Sequence, residues 1–293
     1  MLISGGGSLI QDETSPQSLW YYLAVIQLAK RFGLKIIQLA NGFGPIKYKF
    51  DKKLCQKIIP NCVDAITLRD SQSADELERL GIHDIPYTIT ADPAFTLEPA
   101  SDQRAKAILE ATGLAEDEHF IIVSIRNTKS AKSNFRMQIA TALDGIAAKH
   151  KRSIVFLPMQ YPRDLEISRD ISKRMQSKSY IISTPSEVPE TMQLLADADL
   201  IIAMRLHTLI YAAAIGKDAV AIDYDPKISG FMHDAGMRHR ISLADFNAKA
   251  LIDVATDCIT NAQTIDNTKL RERAEQNADI ALKLLEEAKN ANL

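Results

Sequence analysis

The sequence predicts an α/β protein with two Rossmann-like domains, each built around a parallel sheet, and three observations lead to this expectation. Short apolar runs alternate with amphipathic helical segments along the 293 residues, which is typical of βα units. A polar, proline-containing stretch at 98–103, EPASDQ, separates two such sets. A chain of this length is comfortable for two domains. We therefore expect domains at 1–98 and 99–293, with their two sheets facing a cleft.

In the first domain, four short apolar or β-branched runs predict strands, and the longer periodic segments between them predict helices. The strands are expected at 2–4, 35–41, 65–69 and 87–91, and the helices at about 15–32, 52–59 and 73–80. A doubly wound domain normally carries further strands on the other side of its switch point. Because four strands are fewer than such a domain normally has, we expect the N-terminal domain to be incomplete, with a part missing before its first strand.

The second domain repeats the alternation with longer apolar strands. Its strands are expected at 120–126, 153–158, 180–183, 200–203 and 219–223, and its helices at about 135–149, 164–175, 189–196, 208–215 and from Ile228. The tail at 267–288 has strong helical composition and a possible cap near Thr268. We assign this long C-terminal helix to the second domain.

Composition excludes several classes of protein. Apolar residues make up 46% and charged residues 25% of the chain, and the net charge is −2, which is ordinary for a globular protein and lacks the basic balance of most nucleic-acid binders. No apolar run reaches the length of about 18 residues that spans a membrane, and the first residues lack the basic start of a signal peptide. Cys55, Cys62 and Cys258 are too scattered for a disulfide framework or a metal pair. We expect buried or incidental thiols in a cytoplasmic protein that binds no nucleic acid.

The segment AMRLHTLIYAAAIG places Arg205 and His207 inside an otherwise apolar run. A buried guanidinium needs a partner, because an unpaired buried charge is very costly. The two residues fall in the turn between a strand and a helix, where free N–H groups and the helix dipole favour anions. A single histidine is more often structural, but Arg-x-His at such a turn indicates an anion pocket with a proton donor.

Two further cations follow strands of the same sheet. Arg126, in SIRN, stands at the carboxyl end of one strand. Lys227, in DYDPK, follows another strand, and Asp223 or Asp225 of the same motif could hold it or orient His207. A structural arginine in a salt bridge is the alternative for Arg126. Metal binding is disfavoured, because His207 has no second ligand at metal-site spacing and the cations would repel a divalent ion.

Two glycine loops and two charged residues end the strands of the first domain. Glycines turn the backbone sharply and expose N–H groups that can bind an oxyanion or a sugar hydroxyl, although a simple tight turn is equally compatible. Arg69 either faces the cleft or pairs with Asp70 at a helix start, and Asp92 is either a site residue or a turn-forming Asp-Pro. The loop candidates are Ser4, Gly5, Gly6 and Gly7 in SGGGS, and Gly42 and Gly44 in NGFGP.

In this order, the motifs SGGGSLIQD, SLWYYL, GFGP, LRDSQS, ADPAF, SIRN, LPMQ, MRLH and YDPK resemble those of the polysaccharide pyruvyl transferases. The resemblance is closest to the CsaB type, which acts on cell-wall polymer precursors and is associated with S-layer anchoring, and it runs from about residue 2 to about 236. It implies a GT-B-like pair of domains, phosphoenolpyruvate as the donor and a ketal-linked pyruvyl product. Two departures stand out: the strand and N-x-GDE-type loop that usually precede SGGG are absent, and Asn41 replaces the glutamine of QGIGP.

The resemblance also implies roles for the candidate residues. His207 would be the catalytic acid beside Arg205, and the phosphoenolpyruvate contacts would be Arg126, Arg205, Lys227 and Arg69. The acceptor contacts would be Ser4, Gly5, Gly6, Gly7, Gly42, Gly44 and Asp92.

The partners implied are phosphoenolpyruvate as co-substrate, with no other cofactor, and a lipid-linked sugar at the inner face of the membrane, reached by peripheral contact. The sequence leaves the oligomeric state open. Two alternatives remain: a GT-B nucleotide-sugar glycosyltransferase, which would share both sheets and the anion pocket, and a non-catalytic sugar-binding remnant.

Overall fold

The chain divides into two compact units in a computed structural model that describes residues 1–13, 15–128 and 130–290. The first unit comprises Met1–Thr96 together with the C-terminal helix, and the second comprises Leu97–Asn267. Each unit contains one sheet in which all the strand pairs are parallel. The predicted α/β class with two parallel sheets is therefore confirmed.

The first unit is a four-stranded sheet whose strands follow one another in chain order. Its strands are β1 (Leu2–Gly5), β2 (Ile36–Asn41), β3 (Ala65–Leu68) and β4 (Tyr87–Ile89), and its helices are α1 (Pro16–Arg31), α2 (Lys49–Cys62) and α3 (Ser71–Arg79). Ser15 caps α1 by accepting a hydrogen bond from the Ser18 N–H, and Asp70 caps α3 through the Ser73 N–H. Because the strands are parallel, the loops after all four meet at one edge of the sheet.

The second unit is a six-stranded sheet in the order β10-β9-β8-β5-β6-β7. Its helices are α4 (Asp102–Thr112), α5 (Phe135–His150), α6 (Arg163–Ser172), α7 (Val188–Asp197), α8 (Leu206–Ala214), α9 (Pro226–Asp234) and α10 (Ala248–Thr260). Its strands are β5 (Phe120–Ser124), β6 (Ser153–Phe156), β7 (Ser179–Ile181), β8 (Leu200–Ala203), β9 (Val220–Asp223) and β10 (Arg240–Ser242).

The strand order of this sheet reverses between β5 and β8, which pair in parallel. Loops leave such a switch point in opposite directions and open a crevice beyond the carboxyl ends of the strands. All five residues of β5 and all four of β8 are buried, which explains their continuous apolar sequence. The residues that follow these two strands therefore stand at the mouth of the crevice.

Three elements were absent from the sequence expectation. The stretch 98–103 was expected to be a linker, but α4 begins within it at Asp102. Helix α10 was not predicted, and β10 was missed because its three residues, Arg240–Ser242, include a single apolar one, Ile241. One apolar residue makes neither an apolar run nor an alternation.

The C-terminal helix α11 (Thr268–Asn290) packs on the first unit, so its assignment to the second domain was wrong. Its Asn277 side chain is 3% exposed and accepts hydrogen bonds from the Thr67 hydroxyl at 2.6 Å and the Thr90 hydroxyl at 2.9 Å. The Asn277 amide also donates to the Ala91 carbonyl at 3.0 Å. A buried amide with all these partners fixes the position of the helix on β3 and the end of β4.

Among the described residues, no helix combines the length and the apolar character needed to cross a membrane.

Candidate active site

A pocket of roughly 320 Å³ opens at the switch point of the second sheet. It combines two cations, one imidazole and two tyrosines with an amide and apolar side chains. The lining residues are Arg126, Met159, Gln160, Arg205, Leu206, His207, Tyr211 and Tyr224. The structure thus brings together Arg126, Arg205 and His207, as the sequence predicted.

Arg205 and His207 line the pocket because they lie in the turn between the end of β8 and the first residues of α8. Arg205 has extended backbone angles, φ −86° and ψ 124°, and is the N-cap residue of α8. His207 is the second residue of that helix and is exposed, with its ring 5.9 Å from the Tyr211 ring one turn later. The Arg205 side chain makes no capping hydrogen bond at this helix end. The end of α8 therefore keeps its positive dipole directed at the pocket, which favours an anion there.

Arg205 has an internal partner, which corrects the expectation that a bound anion alone would balance it. Its Nε donates to Asp164 Oδ2 at 2.8 Å and its Nη2 donates to Asp164 Oδ1 at 2.5 Å. Asp164 is fully buried and also accepts from the backbone N–H groups of Met159 and Gln160. A bidentate pair of this kind neutralises most of the guanidinium charge. Arg205 Nη1 makes no hydrogen bond to a described residue, so it remains a donor on the pocket wall.

Arg126 is held differently, by Tyr224. Its Nη1 donates to the Tyr224 hydroxyl at 2.6 Å, and its guanidinium carbon lies 4.9 Å from the centre of the same ring. Within the described parts of the chain, no carboxylate lies within ion-pair distance of Arg126. Burial raises the pKa of Tyr224, and the nearby Arg126 charge opposes that shift only in part, so the phenol stays protonated at neutral pH. The salt-bridged alternative for Arg126 is therefore wrong, and its charge is uncompensated.

Lys227 does not line this pocket. It is the second residue of α9, and its backbone N–H donates to the Asp225 carboxylate at 3.0 Å as part of the helix cap. Asp223 accepts from Arg240 at 3.3 Å. A contact between Lys227 and the donor, and an orienting role of Asp223 or Asp225 for His207, stay predictions.

In the first unit, Arg69 lies at the carboxyl edge of the sheet with its side chain 6% exposed. Its Nη1 is 3.1 Å from Asp92 Oδ2, its Nη2 donates to Ser8 Oγ at 3.1 Å, and its Nε lies 3.6 Å from Asp70 Oδ2. Arg69 thus pairs with Asp70, one of the two alternatives left open by the sequence, and also with Asp92, which the sequence did not link to it. Its assignment as a phosphoenolpyruvate contact stays a prediction, as does the assignment of Asp92 to the acceptor.

The glycine loops after β1 and β2 are bonded to each other. Gly42 N–H donates to the Gly7 carbonyl at 2.9 Å, and Gly44 N–H donates to the Ile10 carbonyl at 2.7 Å. A Cβ at Gly42 would lie 2.5 Å from Ser8 Oγ, and Gly44 has φ +67° with Glu76 packed against it. Close packing therefore requires glycine at both positions. Acceptor binding by Ser4, Gly5, Gly6, Gly7, Gly42 and Gly44 stays a prediction.

Sequence reasoning missed Asp164 and Tyr224 as site residues. Asp164 was predicted only as the start of a helix, and nothing local marks it as the partner of Arg205, 41 residues later. Tyr224 stood inside the quoted DYDPK motif. An aromatic residue one position past a buried strand, at the same edge as Arg126, was the available signal for it.

The described residues contain one group with metal-ligand chemistry, Asp218, His239 and Cys258, whose ligand atoms lie within 4.8 Å of one another. Asp218 already accepts from the Ala219 N–H at 2.9 Å, from the Gln263 N–H at 3.3 Å and from His239 Nδ1 at 2.9 Å. Burial raises the pKa of the Cys258 thiol to about 12, so the thiolate that binds metals is disfavoured. The group is a buried hydrogen-bonding network, and the expectation of a metal-free protein stays a prediction.

Solved structures with the same fold are distant in sequence. The UDP-GlcNAc 2-epimerase of Methanocaldococcus jannaschii is 12% identical with a TM-score of 0.66, over 89% of this chain and 74% of that one. The Neisseria meningitidis UDP-GlcNAc 2-epimerase bound to UDP-GlcNAc is 13% identical with a TM-score of 0.65, over 95% and 76%. A Rickettsia africae glycosyltransferase is 14% identical with a TM-score of 0.55, over 95% and 83%. These likenesses establish a GT-B-like fold and nothing further.

Sequence comparison is more specific. The family model described as polysaccharide pyruvyl transferase matches residues 1–226 of the 293. The match includes both glycine loops and the loops that carry Arg126, Arg205, His207 and Tyr224. No curated protein matches the chain at a significant level.

Proposed function

We propose that this chain, which belongs to the polysaccharide pyruvyl transferase family, transfers the pyruvyl group of phosphoenolpyruvate to a sugar of a cell-wall polysaccharide precursor. The observation that supports this donor is the uncompensated charge of Arg126, on the wall of the pocket that also contains His207 and the start of α8. The family name supports pyruvyl transfer, and the donor and acceptor are our inference.

Phosphoenolpyruvate carries a phosphate and a carboxylate on a three-carbon frame, so it needs two anion contacts. Arg126 offers a planar fork suited to one of them. The start of α8, with the Nη1 donor of Arg205, offers the other. Asp164 removes most of the charge of Arg205, so in this scheme Arg205 acts mainly as a geometrically fixed hydrogen-bond donor.

In the proposed reaction, the protonated His207 imidazole donates its proton to the methylene carbon C3. Positive charge develops at C2, and a sugar hydroxyl adds there and returns its proton to His207. The C2–O bond to phosphate then breaks, and the phosphate departs with the bonding electrons. A second hydroxyl of the sugar adds to C2 and gives its proton to the departing phosphate, which closes the cyclic ketal.

The contributions expected from the pocket are of ordinary enzymatic size. A positioned general acid accelerates such a step by roughly 10²–10⁴-fold. The fixed cation of Arg126 and the helix dipole stabilise the departing phosphate without reorganising. In most enzymes, such electrostatic stabilisation contributes more to the rate than any other single effect. The Tyr224 hydroxyl accepts a hydrogen bond from Arg126 and can donate one, through its own proton, to an anion in the pocket.

For the acceptor, we propose a lipid-linked sugar of the CsaB type, bound by the glycine loops of the first unit. The support is the pairing of both loops at one sheet edge, where their backbone groups and Ser8 stand beside Arg69 and Asp92. The resulting product would be a cell-wall precursor carrying pyruvate.

Ligand-induced thermal stabilisation tests the donor. We expect phosphoenolpyruvate to raise the melting temperature of the wild-type protein and not that of Arg126→Met, while UDP-GlcNAc leaves both unchanged. Stabilisation by UDP-GlcNAc without an effect of phosphoenolpyruvate would instead indicate a nucleotide-sugar glycosyltransferase. If phosphoenolpyruvate binds but no acceptor tried yields phosphate, the transfer reaction is wrong and a sugar-binding role is favoured.

A further inference from the structure

The segment Lys47–Lys53, KYKFDKK, alternates cations with aromatic rings at the start of α2. Tyr48 is 58% exposed, Phe50 is 65% exposed, and Trp20 of α1 beside them is 43% exposed. Large apolar side chains clustered on a surface are unusual and mark interaction sites. We call Trp20, Tyr48, Phe50 and the four lysines of this segment the basic–aromatic patch.

The patch is held in place by two buried carboxylates. Asp12, 2% exposed, accepts from the backbone N–H groups of Lys47 at 2.7 Å and Tyr48 at 2.9 Å. Asp51, 1% exposed, accepts from the Trp20 indole N–H at 2.7 Å. The rings of Trp20 and Phe50 meet edge to face at 6.1 Å. The exposed rings are therefore presented by a fixed scaffold.

The charge of this region differs sharply from that of the chain as a whole. Residues 47–53 include four lysines and one acidic residue, Asp51, while the whole chain has a net charge of −2. Asp51 is buried against Trp20, so it presents no negative charge at the surface. Lys47 forms a surface ion pair with Glu13 at 2.8 Å, which is worth little in water.

We propose that the basic–aromatic patch docks the protein on an anionic phospholipid surface. Tryptophan, tyrosine and phenylalanine insert at the level of lipid headgroups, and lysines beside them are attracted to anionic lipids. Single-stranded nucleic acid also binds aromatic and basic side chains, but the acidic balance of the chain disfavours it. The proposal goes beyond the proposed reaction, because membrane binding requires no turnover.

The position of the patch links it to the proposed acceptor. Helix α2 follows β2 and its glycine loop, so the patch stands at the same sheet edge as the loops assigned to the sugar. A sugar tethered to lipid would be presented to that edge by the surface on which the patch sits. This link rests on the proposed function, whereas lipid binding itself does not.

Trp20 is the single tryptophan of the chain and reports directly on the patch. We expect its fluorescence to shift to the blue, and the protein to sediment with vesicles, when about a third of the lipid is phosphatidylglycerol, but not with pure phosphatidylcholine. Raising the ionic strength to about 1 M should reverse both changes, because the attraction is screened beyond about 3 Å. Because this salt titration uses only the wild-type protein, its result does not depend on whether a variant folds.

Paired variants locate the binding surface. Lys49→Gln with Lys53→Gln should lower the vesicle partition coefficient by roughly 30-fold, as expected for two lysines near an anionic surface. Tyr48→Ser with Phe50→Ser should abolish the blue shift. The matched control is Arg31→Gln with Phe32→Ser, since Phe32 is 75% exposed but lies at the opposite end of α1; it should bind vesicles as the wild type does.

Several results would overturn the proposal. Equal binding to neutral vesicles, or equal loss in the control variant, would exclude an anionic surface at this patch. A patch-dependent dimer in sedimentation velocity would assign the face to a second copy, and a blue shift with a single-stranded oligonucleotide but not with vesicles would assign it to nucleic acid. Phosphate release with a water-soluble acceptor should be unchanged in the patch variants, which separates failure of docking from failure of the proposed reaction.

Discussion

Arginines stand at the carboxyl edge of both sheets, but the two edges satisfy them differently. In the first unit, Arg69 is buried between Asp92 and Asp70 and bonds to Ser8. In the second unit, Arg205 donates two hydrogen bonds to Asp164. Arg126 instead contacts the hydroxyl and the ring of Tyr224, and no carboxylate of the described residues pairs with it. Carboxylates of the first edge balance the charge of Arg69, whereas the second edge keeps the charge of Arg126 for a ligand.

The comparison shows that an arginine at a strand end indicates an anion site only after its internal partners are counted. A buried ion pair roughly balances its own desolvation cost, so Arg69 and Arg205 can be structural without attracting a ligand. A cation over an aromatic ring gains only about 0.5–2 kcal/mol. Arg126 therefore remains available to an anion, and the donor site should depend on it more than on the other two.

The largest expected effect is at His207. If the second edge carries the chemistry, His207→Ala should lower turnover by roughly 10²–10⁴-fold, because the methylene carbon loses its acid. Donor binding should largely survive, since Arg126 and the start of α8 are unchanged. Phosphate release measures turnover, and thermal stabilisation by phosphoenolpyruvate measures binding.

His233→Ala is the matched control, because His233 lies in the same unit with its side chain 90% exposed and paired with Asp234. Its turnover should equal that of the wild type. If His207→Ala retains most of its activity, the acid is another group, and the assignment of His207 fails while that of Arg126 stands.

Asp164→Ala tests whether Arg205 is structural. The change leaves a largely buried guanidinium and two backbone N–H groups without their acceptor, so unfolding should become easier by about 3–5 kcal/mol. Chemical denaturation measures the loss. Asp170→Ala on the same helix is the control, because its pairs with Arg136 and Arg174 are at the surface and should contribute at most about 1 kcal/mol.

A small loss in Asp164→Ala, equal to that of the control, would mean that the internal pair is weak. Arg205 would then resemble Arg126 and not Arg69, and the contrast between the two arginines of the second edge would disappear.

The sequence predicted the positions of these side chains but not their partners, for a physical reason. Apolar runs locate β5 and β8, and the first polar residue after each run falls at the sheet edge, so Arg126, Arg205 and His207 could be placed in one crevice. The partner Asp164 lies 41 residues before Arg205. Periodicity reports which residues are buried locally, and a pairing over that distance is decided by tertiary packing.

Helix α11 illustrates the same limit. Its buried residues Leu270, Ala274, Asn277, Ala281 and Leu284 recur at spacings of three and four, so a helix with one buried face was predictable. The pattern does not say which sheet it covers. The buried Asn277 bonds to Thr67 and Thr90, roughly 200 residues earlier, and the local pattern cannot show a pairing over that distance.

Arg126→Met is the sharpest test of the contrast between the edges. It removes the fork but keeps an unbranched apolar side chain against Tyr224, so the fold should be little affected. Loss of a charge-assisted hydrogen bond to the donor should raise the KM for phosphoenolpyruvate by roughly 10–100-fold. Arg152→Met, which removes an arginine paired with Asp199 at the amino end of β6, should leave KM unchanged.

The same test applied to Arg69 completes the contrast. Arg69→Met should lower thermal stability, because Asp92 loses its ion pair in a buried setting. An equal rise in the KM for phosphoenolpyruvate in both variants would place Arg69 in the donor site and remove the distinction between the two edges.

The smallest expected effect is at Tyr224, and it separates the two ways in which the phenol holds Arg126. Tyr224→Phe keeps the ring under the guanidinium but removes the hydroxyl that accepts from Nη1 at 2.6 Å. A neutral hydrogen bond of about 1 kcal/mol corresponds to a KM for phosphoenolpyruvate roughly 5-fold higher. Tyr224→Leu removes the ring as well and should raise KM further, toward the value of Arg126→Met. If the KM of Tyr224→Phe equals that of the wild type while the KM of Tyr224→Leu is higher, the ring alone positions Arg126. If neither KM differs from that of the wild type, the substrate itself positions Arg126, and Tyr224 has no part in donor binding.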